Sequence, residues 1–343
     1  MLYYCGLIIS IIFLRLITLR LKQNDRKIFF FLTTFLVVCF QGLRSFSVGT
    51  DLANYIPSYS YIGKYVPFSV SATYKNYEAG YILLNKIIYK IGLDQRGFLI
   101  VVTILIQIPI FYTIYKYSEN PLLSILAYFA FGNFIMTFSG LRQAISMSFC
   151  FYAYVFIKKK KLLKYIITVL IACLFHKSAI ICLLLYPLYY IRIKRIVFPF
   201  ILLGIALCFL FRYQIFIVIS KLYYGEAKNV RATGAYTMFV MFLLLYIVAY
   251  ILQSQDEEYR GLMNILPLIV CIYSLASIHD FVTRMSYPLS LYLTLFIPKV
   301  VNRFKTKLKE KDGIVIDVVS NVLCIACFMI FLGGLDTLPF SFL

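Results

Sequence analysis

The chain has 343 residues, of which 62% are hydrophobic and 14% charged, and its mean hydropathy is +0.87. A soluble domain carries about a quarter charged residues, so this composition cannot cover a water-facing surface and its solvent must be mostly lipid. The net charge of +20 would point to nucleic acid in a soluble protein; here it records topology, because Lys and Arg collect in cytoplasmic loops.

The predicted elements follow the apolar runs, since a span needs about 20 apolar residues. Such runs lie at 2–19, 28–46, 98–116, 121–138, 141–157, 196–219, 235–252, 261–279, 285–300 and 314–332. The first reads as a retained helix: no small-residue cleavage site follows it, whereas Arg20, Lys22, Arg26 and Lys27 do. Basic stretches at 20–27, 158–161 and 299–311 mark cytoplasmic loops. Span 28–46 then puts position 47 outside, and counting back from Lys158 puts position 97 outside as well. The segment 47–97 is thus an outer element, and 78–93 within it is too short to cross. It reads as an amphipathic helix on the outer interface, with Tyr81, Leu84, Ile87, Ile88 and Ile91 on one face and Asn85, Lys86 and Lys90 on the other. Region 162–191 must return to the cytoplasm before Arg192, so it divides into short helices 162–175 and 178–191 that meet at His176. The expected fold is all-α: one polytopic integral membrane domain over 1–343, about twelve transmembrane helices (two of them short), and both termini outside.

A charge at the rim or interior of a bilayer needs a reason, because it costs about 2.5–3.5 kcal/mol at mid-helix on insertion scales. This topology places Arg44, Asp51, Glu78, Arg142, His176, Lys177, Arg212, Arg231, Asp280 and Arg284 at or near the outer ends of spans. Cations with a few carboxylates and a His suit an anionic, lipid-linked substrate. The planar Arg fork offers paired donors to phosphate, and fixed Arg groups stabilise a pyrophosphate leaving group more as its charge grows. A carboxylate or neutral His can take the proton of an attacking hydroxyl. Plain structural roles stand beside these: a snorkelling Arg44, a turn at Gly49-Thr50-Asp51, a helix-start charge at Glu78, an interhelical hydrogen bond from His176, a polar turn at His279-Asp280. The nine cysteines all lie in apolar runs, and Cys324-x-x-Cys327 has no second pair or His to complete a metal site. No D-x-D or carboxylate cluster suggests a divalent ion, so neither metal nor cofactor is expected.

The order of motifs is informative. Arg44 is followed by Gly49-Thr50-Asp51 and Tyr55, then Glu78-Ala79-Gly80-Tyr81, Arg142-Gln143-Ala144, the lysines at 158–161, and Phe175-His176-Lys177-Ser178-Ala179. Over about residues 40–185 this resembles the EpsG family, a branch of the Wzy-like polysaccharide polymerases of bacterial envelopes; Arg284 near Tyr287 continues the likeness more faintly. The resemblance implies a GT-C-like glycosyltransferase of the bacterial cytoplasmic membrane, acting at its outer face without a nucleotide sugar. Such an enzyme joins repeat units of an exopolysaccharide, capsule or O-antigen. Its substrate is a polyprenyl-pyrophosphate-linked oligosaccharide, and its partners are membrane lipids, a chain-length regulator and a flippase of the same pathway. Arg142, Arg284 and Arg44 are the expected pyrophosphate ligands, and His176, Glu78 or Asp51 the base, His176 first. Tyr55, Tyr59, Tyr61, Tyr74 and Tyr77 offer rings for sugar stacking or for interfacial anchoring. A flippase would instead place charges at the bilayer midplane and show a repeat between halves. An acyltransferase would need a cytoplasmic acyl donor.

Overall fold

The computed structural model describes residues 1–21, 24–67, 74–224, 236–307, 312–332 and 340–342, with the side chains at 222–224, 280 and 281 outside the description. All regular structure in these residues is helical: α1 Leu2–Thr18, α2 Asp25–Gly42, α3 Leu52–Tyr65, α4 Ala79–Lys90, α5 Gln95–Tyr117, α6 Pro121–Ala130, α7 Asn133–Ser139, α8 Leu141–Tyr152, α9 Tyr154–Lys158 and α10 Leu162–Cys173. A 3-10 helix, Lys177–Leu184, leads into α11 Leu185–Tyr190. There follow α12 Phe198–Leu210, α13 Arg212–Tyr224, α14 Tyr236–Leu252, α15 Glu257–Ala276, α16 Asp280–Ser290, α17 Leu293–Lys305 and α18 Asp312–Leu332.

Local chemistry sets several of these starts. Asn120 accepts from the Leu123 amide at 3.2 Å with Pro121 at the first position of α6, and Asp94 accepts from the Gly97 amide at 2.8 Å. Asp256 takes the amides of Glu258 and Tyr259, each at 3.1 Å. These oxygens satisfy amides that have no partner within the helix. Three helices, α5, α15 and α18, are long and apolar enough to cross a membrane; the bent pairs α6/α7 (56°) and Arg195–Leu210/Arg212–Lys221 (71°) bring the number to five. Shorter apolar helices are α1, α10, Lys177–Tyr190 and α14. The protein is a multi-pass membrane protein.

Several expected spans are interrupted. Run 121–138 breaks at Phe131-Gly132, and 196–219 turns sharply just before Arg212, so Arg212 opens a new helix instead of ending a straight one. The run 141–157 is interrupted at Ala153, and 285–300 is shared between α16 and α17. Polar side chains tie α7 to the helices around it. Gln41 donates to the Thr137 carbonyl at 2.8 Å and to its hydroxyl at 2.7 Å, Gln107 donates to Gln41 at 2.6 Å, and Tyr128 donates to Gln107 at 3.1 Å, all of them buried. The Thr137 carbonyl, in the last turn of α7, thereby gains a side-chain donor.

The amphipathic element at 78–93 is α4, but its faces differ from expectation. Tyr81, Ile82, Asn85 and Ile88 are buried, whereas Ile87 and Ile91 are exposed. Asn85 can turn inward because its amide donates to the Tyr81 carbonyl at 2.6 Å. Packed against α4 lies α3, a helix within the segment 47–97.

Loops expected on one side gather at one end of the helices. Arg26 donates to the Ser118 carbonyl at 2.6 Å, Lys299 pairs with Glu119 at 2.5 Å, Lys158 pairs with Glu258 at 3.1 Å, and Arg303 donates to the Gln253 carbonyl at 2.6 Å. At the other end Arg96 holds the carbonyls of Gly42 (2.9 Å) and Arg44 (2.6 Å), and the Ser45 amide donates to the Ser341 carbonyl at 2.9 Å. Tyr3 meets Phe342 there, with ring centroids 5.4 Å apart.

Candidate functional site

At this second end four elements converge: the start of α4, the start of α8, the turn between α10 and the 3-10 helix, and α16. They enclose a cleft of about 610 Å³ lined by Glu78, Arg142, His176 and Arg284 together with Lys75, Tyr77 and Lys177. Close backbone approach makes the junction. The Gly80 amide donates to the Leu174 carbonyl at 2.9 Å, and a Cβ on Gly80 would stand 2.7 Å from that oxygen. Any other residue there would drive Glu78 away from the His176 turn.

Arg142 is the hub. Its Nη1 donates to Glu78 Oε2 at 2.5 Å and to the Asn76 carbonyl at 3.0 Å, and its Nε donates to the Tyr55 hydroxyl at 3.3 Å. Its guanidinium lies 4.5 Å above the centre of the Tyr77 ring. The other Glu78 oxygen accepts from the Lys177 amide at 3.4 Å. Gln143, the next residue, donates to the Arg284 carbonyl and so ties α8 to α16. The Arg284 side chain is exposed and, among the described residues, has no acidic partner.

His176 caps the 3-10 helix. Its Nδ1 accepts from the Ser178 amide at 3.4 Å and lies 2.7 Å from the Ser178 hydroxyl. With Nδ1 as acceptor, the neutral ring carries its proton on Nε2. Burial pushes the imidazole down from 6.5 to about 4; Glu78 works against that shift, and Arg142 and Arg284 work with it. The ring is therefore neutral at ordinary pH.

Two of the expected site residues stand apart. Arg44 is fully buried, with Nε on the Val48 carbonyl (3.1 Å), Nη1 on Gln41 (2.5 Å) and Nη2 on Phe138 (2.9 Å). A guanidinium enclosed in this way presents no face to a phosphate. Asp51 begins α3 and does not line the cleft. The Gly49-Thr50-Asp51 motif instead docks the segment 47–97 onto the end of α7. Gly49 has φ +113°, and a Cβ there would come within 2.4 Å of the Phe138 carbonyl; Thr50 reaches the Ser139 hydroxyl at 3.2 Å through both amide and side chain. Tyr59 is core as well, stacked on Phe98 at 4.3 Å and donating to the Leu93 carbonyl at 2.6 Å. Tyr61 is 49% exposed and stacks on Tyr74 at 5.1 Å, so it remains open to a ligand. Arg231 and the Asp280 side chain lie outside the described residues.

Lys75 carries no signal in the sequence beyond its place three residues before Glu78, yet it adds a cation to the cleft. Four cations (Lys75, Arg142, Lys177, Arg284) therefore surround one carboxylate and one neutral imidazole. Among the described residues no group of three His, Cys, Asp or Glu side chains is placed to hold a metal ion. The arrangement is suited to an anion with two or more charged oxygens, held by an Arg fork.

No curated protein and no solved structure matches the chain. The model of the EpsG family, which is associated with polysaccharide biosynthesis, matches residues 27–342, nearly the whole length, and the chain belongs to the EpsG family.

Proposed function

We propose that the protein is a polysaccharide polymerase that transfers a glycan from polyprenyl pyrophosphate to a sugar hydroxyl at the outer face of the bacterial cytoplasmic membrane. The observation that carries this is the cleft itself: an excess of cations beside a single carboxylate, gathered at one end of the helices. Arg142 and Arg284 bind the pyrophosphate. The acceptor oxygen attacks the anomeric carbon, the bond from that carbon to the pyrophosphate oxygen breaks, and the electron pair leaves with the pyrophosphate. The two guanidinium groups stabilise that developing charge more than they stabilise the ground state.

Geometry favours Glu78 over His176 as the base. With its Nδ1 taken by the Ser178 amide and its basicity lowered by burial, His176 is a poor acceptor for the hydroxyl proton. Glu78 begins paired with Arg142. Pyrophosphate oxygens compete for the same guanidinium and free the carboxylate to take the hydroxyl proton. Tyr77 and Tyr61 then offer ring faces to the sugars. Asp51 and Arg44 support the site through the fold.

Alanine at Arg142 should abolish surface polymer on a gel while the protein stays in the membrane at normal amount. Removing one transition-state donor costs on the order of 10²–10³ in rate. Full-length polymer from both Arg142→Ala and Glu78→Gln would sink the assignment. Lipid-linked units stranded on the inner leaflet of a deletion strain would favour a flippase instead.

A further inference from the structure

A second cavity, at the opposite end of the helices, is not used by this chemistry. It has a volume of about 180 Å³ and lies at the foot of α12, α14 and α15. Lys194, Arg195 and Arg260 line it with the uncharged Gln253, Ser254 and Gln255, and no carboxylate does. This absence is notable because Asp256, Glu257 and Glu258 are immediate neighbours in sequence. All three are engaged elsewhere: Asp256 with Lys299 at 3.5 Å, Glu258 with Lys158 at 3.1 Å, Glu257 with Lys160 at 3.9 Å. The three pocket cations make no ion pair among the described residues.

The walls are fixed by specific contacts. Asn264 donates to the carbonyls of Leu188 (3.1 Å) and Ile191 (2.7 Å), which pins the segment bearing Lys194 and Arg195. Arg303 donates to the carbonyls of Leu252 (3.3 Å) and Gln253 (2.6 Å) and holds Gln253 at φ 37°, a conformation that non-glycine residues rarely take. Such strain persists only where the surroundings over-determine it, often at a ligand clamp. Above the pocket, α12 and α14 meet along an aromatic seam, with Phe198 on Tyr250 at 3.5 Å and Phe209 on Phe239 at 4.8 Å. Beside the seam, Phe200 is 67% and Ile251 66% exposed, and Leu203 and Leu244 are exposed too. Two of the helices that line the pocket, α12 and α14, therefore also carry exposed apolar side chains.

We propose that this pocket binds the phosphate headgroup of an anionic membrane phospholipid, whose chains lie along the exposed faces of α12 and α14. Basic residues near a membrane surface attract anionic headgroups, and a pocket between helices adds selection by shape. The test uses the full chain in phosphatidylcholine nanodiscs, with and without about 20% phosphatidylglycerol, a fraction typical of anionic-lipid experiments. Phosphatidylglycerol should raise the melting temperature, and native mass spectrometry should show it retained on the chain. The triple variant Lys194→Gln/Arg195→Gln/Arg260→Gln should melt like the wild type in pure phosphatidylcholine and bind phosphatidylglycerol about a hundredfold more weakly. If that variant does not fold, Arg260→Gln alone should weaken binding about fivefold. Lys159→Gln/Lys161→Gln/Lys164→Gln removes as much charge from exposed positions at the same end and should retain the lipid. Equal loss in this second triple variant, or unchanged binding in the first, would overturn the proposal. So would inorganic phosphate alone reproducing the thermal shift, since that would assign the pocket to a free anion.

Discussion

At Arg142 the shape of the side chain matters as much as its charge. Its guanidinium serves Glu78, Tyr55, the Asn76 carbonyl and the Tyr77 ring at once. Lysine keeps the charge but cannot fork, so Arg142→Lys should lower polymer output by about a hundredfold, close to alanine. Arg284→Lys should be milder in the same gel assay, because Arg284 has no fixed acidic partner among the described residues. His176 gives a prediction in pH. Its folded value of about 4 lies below the ordinary 6.5, so the unfolded chain takes up a proton that the folded chain refuses. The stability that the neutral ring allows is complete above 6.5 and is lost as the pH falls toward 4. Melting in detergent between about pH 8 and pH 5 should show this slope, and His176→Asn should flatten it. Glu78, Arg142, His176 and Arg284 are legible in the sequence because charge near lipid is costly wherever it stands. Arg44 meets the same criterion and yet is buried away from the cleft. Backbone carbonyls can saturate a guanidinium, and which carbonyls lie nearby is a property of the fold.

Among the elements, α3 and α4 reach the site through two glycines with different duties. Gly49 combines a left-handed φ of +113° with a Phe138 carbonyl only 2.4 Å from where an added Cβ would stand, so Gly49→Ala should destabilise by about 1–3 kcal/mol and reduce the amount of folded protein. Gly92 also has a positive φ, of +88°, but nothing lies within 4 Å of its Cβ position, so Gly92→Ala is the matched control with the smaller loss. Gly80→Ala meets Leu174 backbone and side chain; it should leave membrane yield closer to normal while polymer falls, because it moves Glu78 relative to His176. Apolar length locates the runs but not their breaks. Phe131-Gly132 and Arg212 sit inside stretches whose mean hydropathy hides them, although Gly132, at φ +74°, takes a left-handed conformation that glycine adopts readily. The buried face of α4 is equally hidden, since Asn85 turns inward with its side-chain nitrogen on the Tyr81 carbonyl.

The whole molecule has two polar ends joined by an apolar middle, and the end away from the candidate site is fastened by Lys299. Only 5% of that side chain is exposed, and it meets Glu119 at 2.5 Å, Glu258 at 3.2 Å and Asp256 at 3.5 Å. Lys299→Ala would leave these carboxylates facing one another, and breaking a buried pair costs about 3–5 kcal/mol. A large drop in melting temperature, partly restored at lower pH where the carboxylates protonate, would confirm this. The end that bears the cleft is closed differently. Phe340 packs among Tyr4, Phe40 and Phe138, the Ser341 carbonyl receives the Ser45 amide, and Phe342 pairs with Arg44 along the backbone. Residues some three hundred positions apart therefore share one small cluster. Translation imposes an order on it: until position 340 has been synthesised and α18 inserted, α1 and α2 wait with an open seam beside the Arg44 cage. Nascent chains stalled at α18 should be cut by protease near residue 44, and chains carried past 342 should resist, which makes the closing of this seam a clock for the enzyme's maturation.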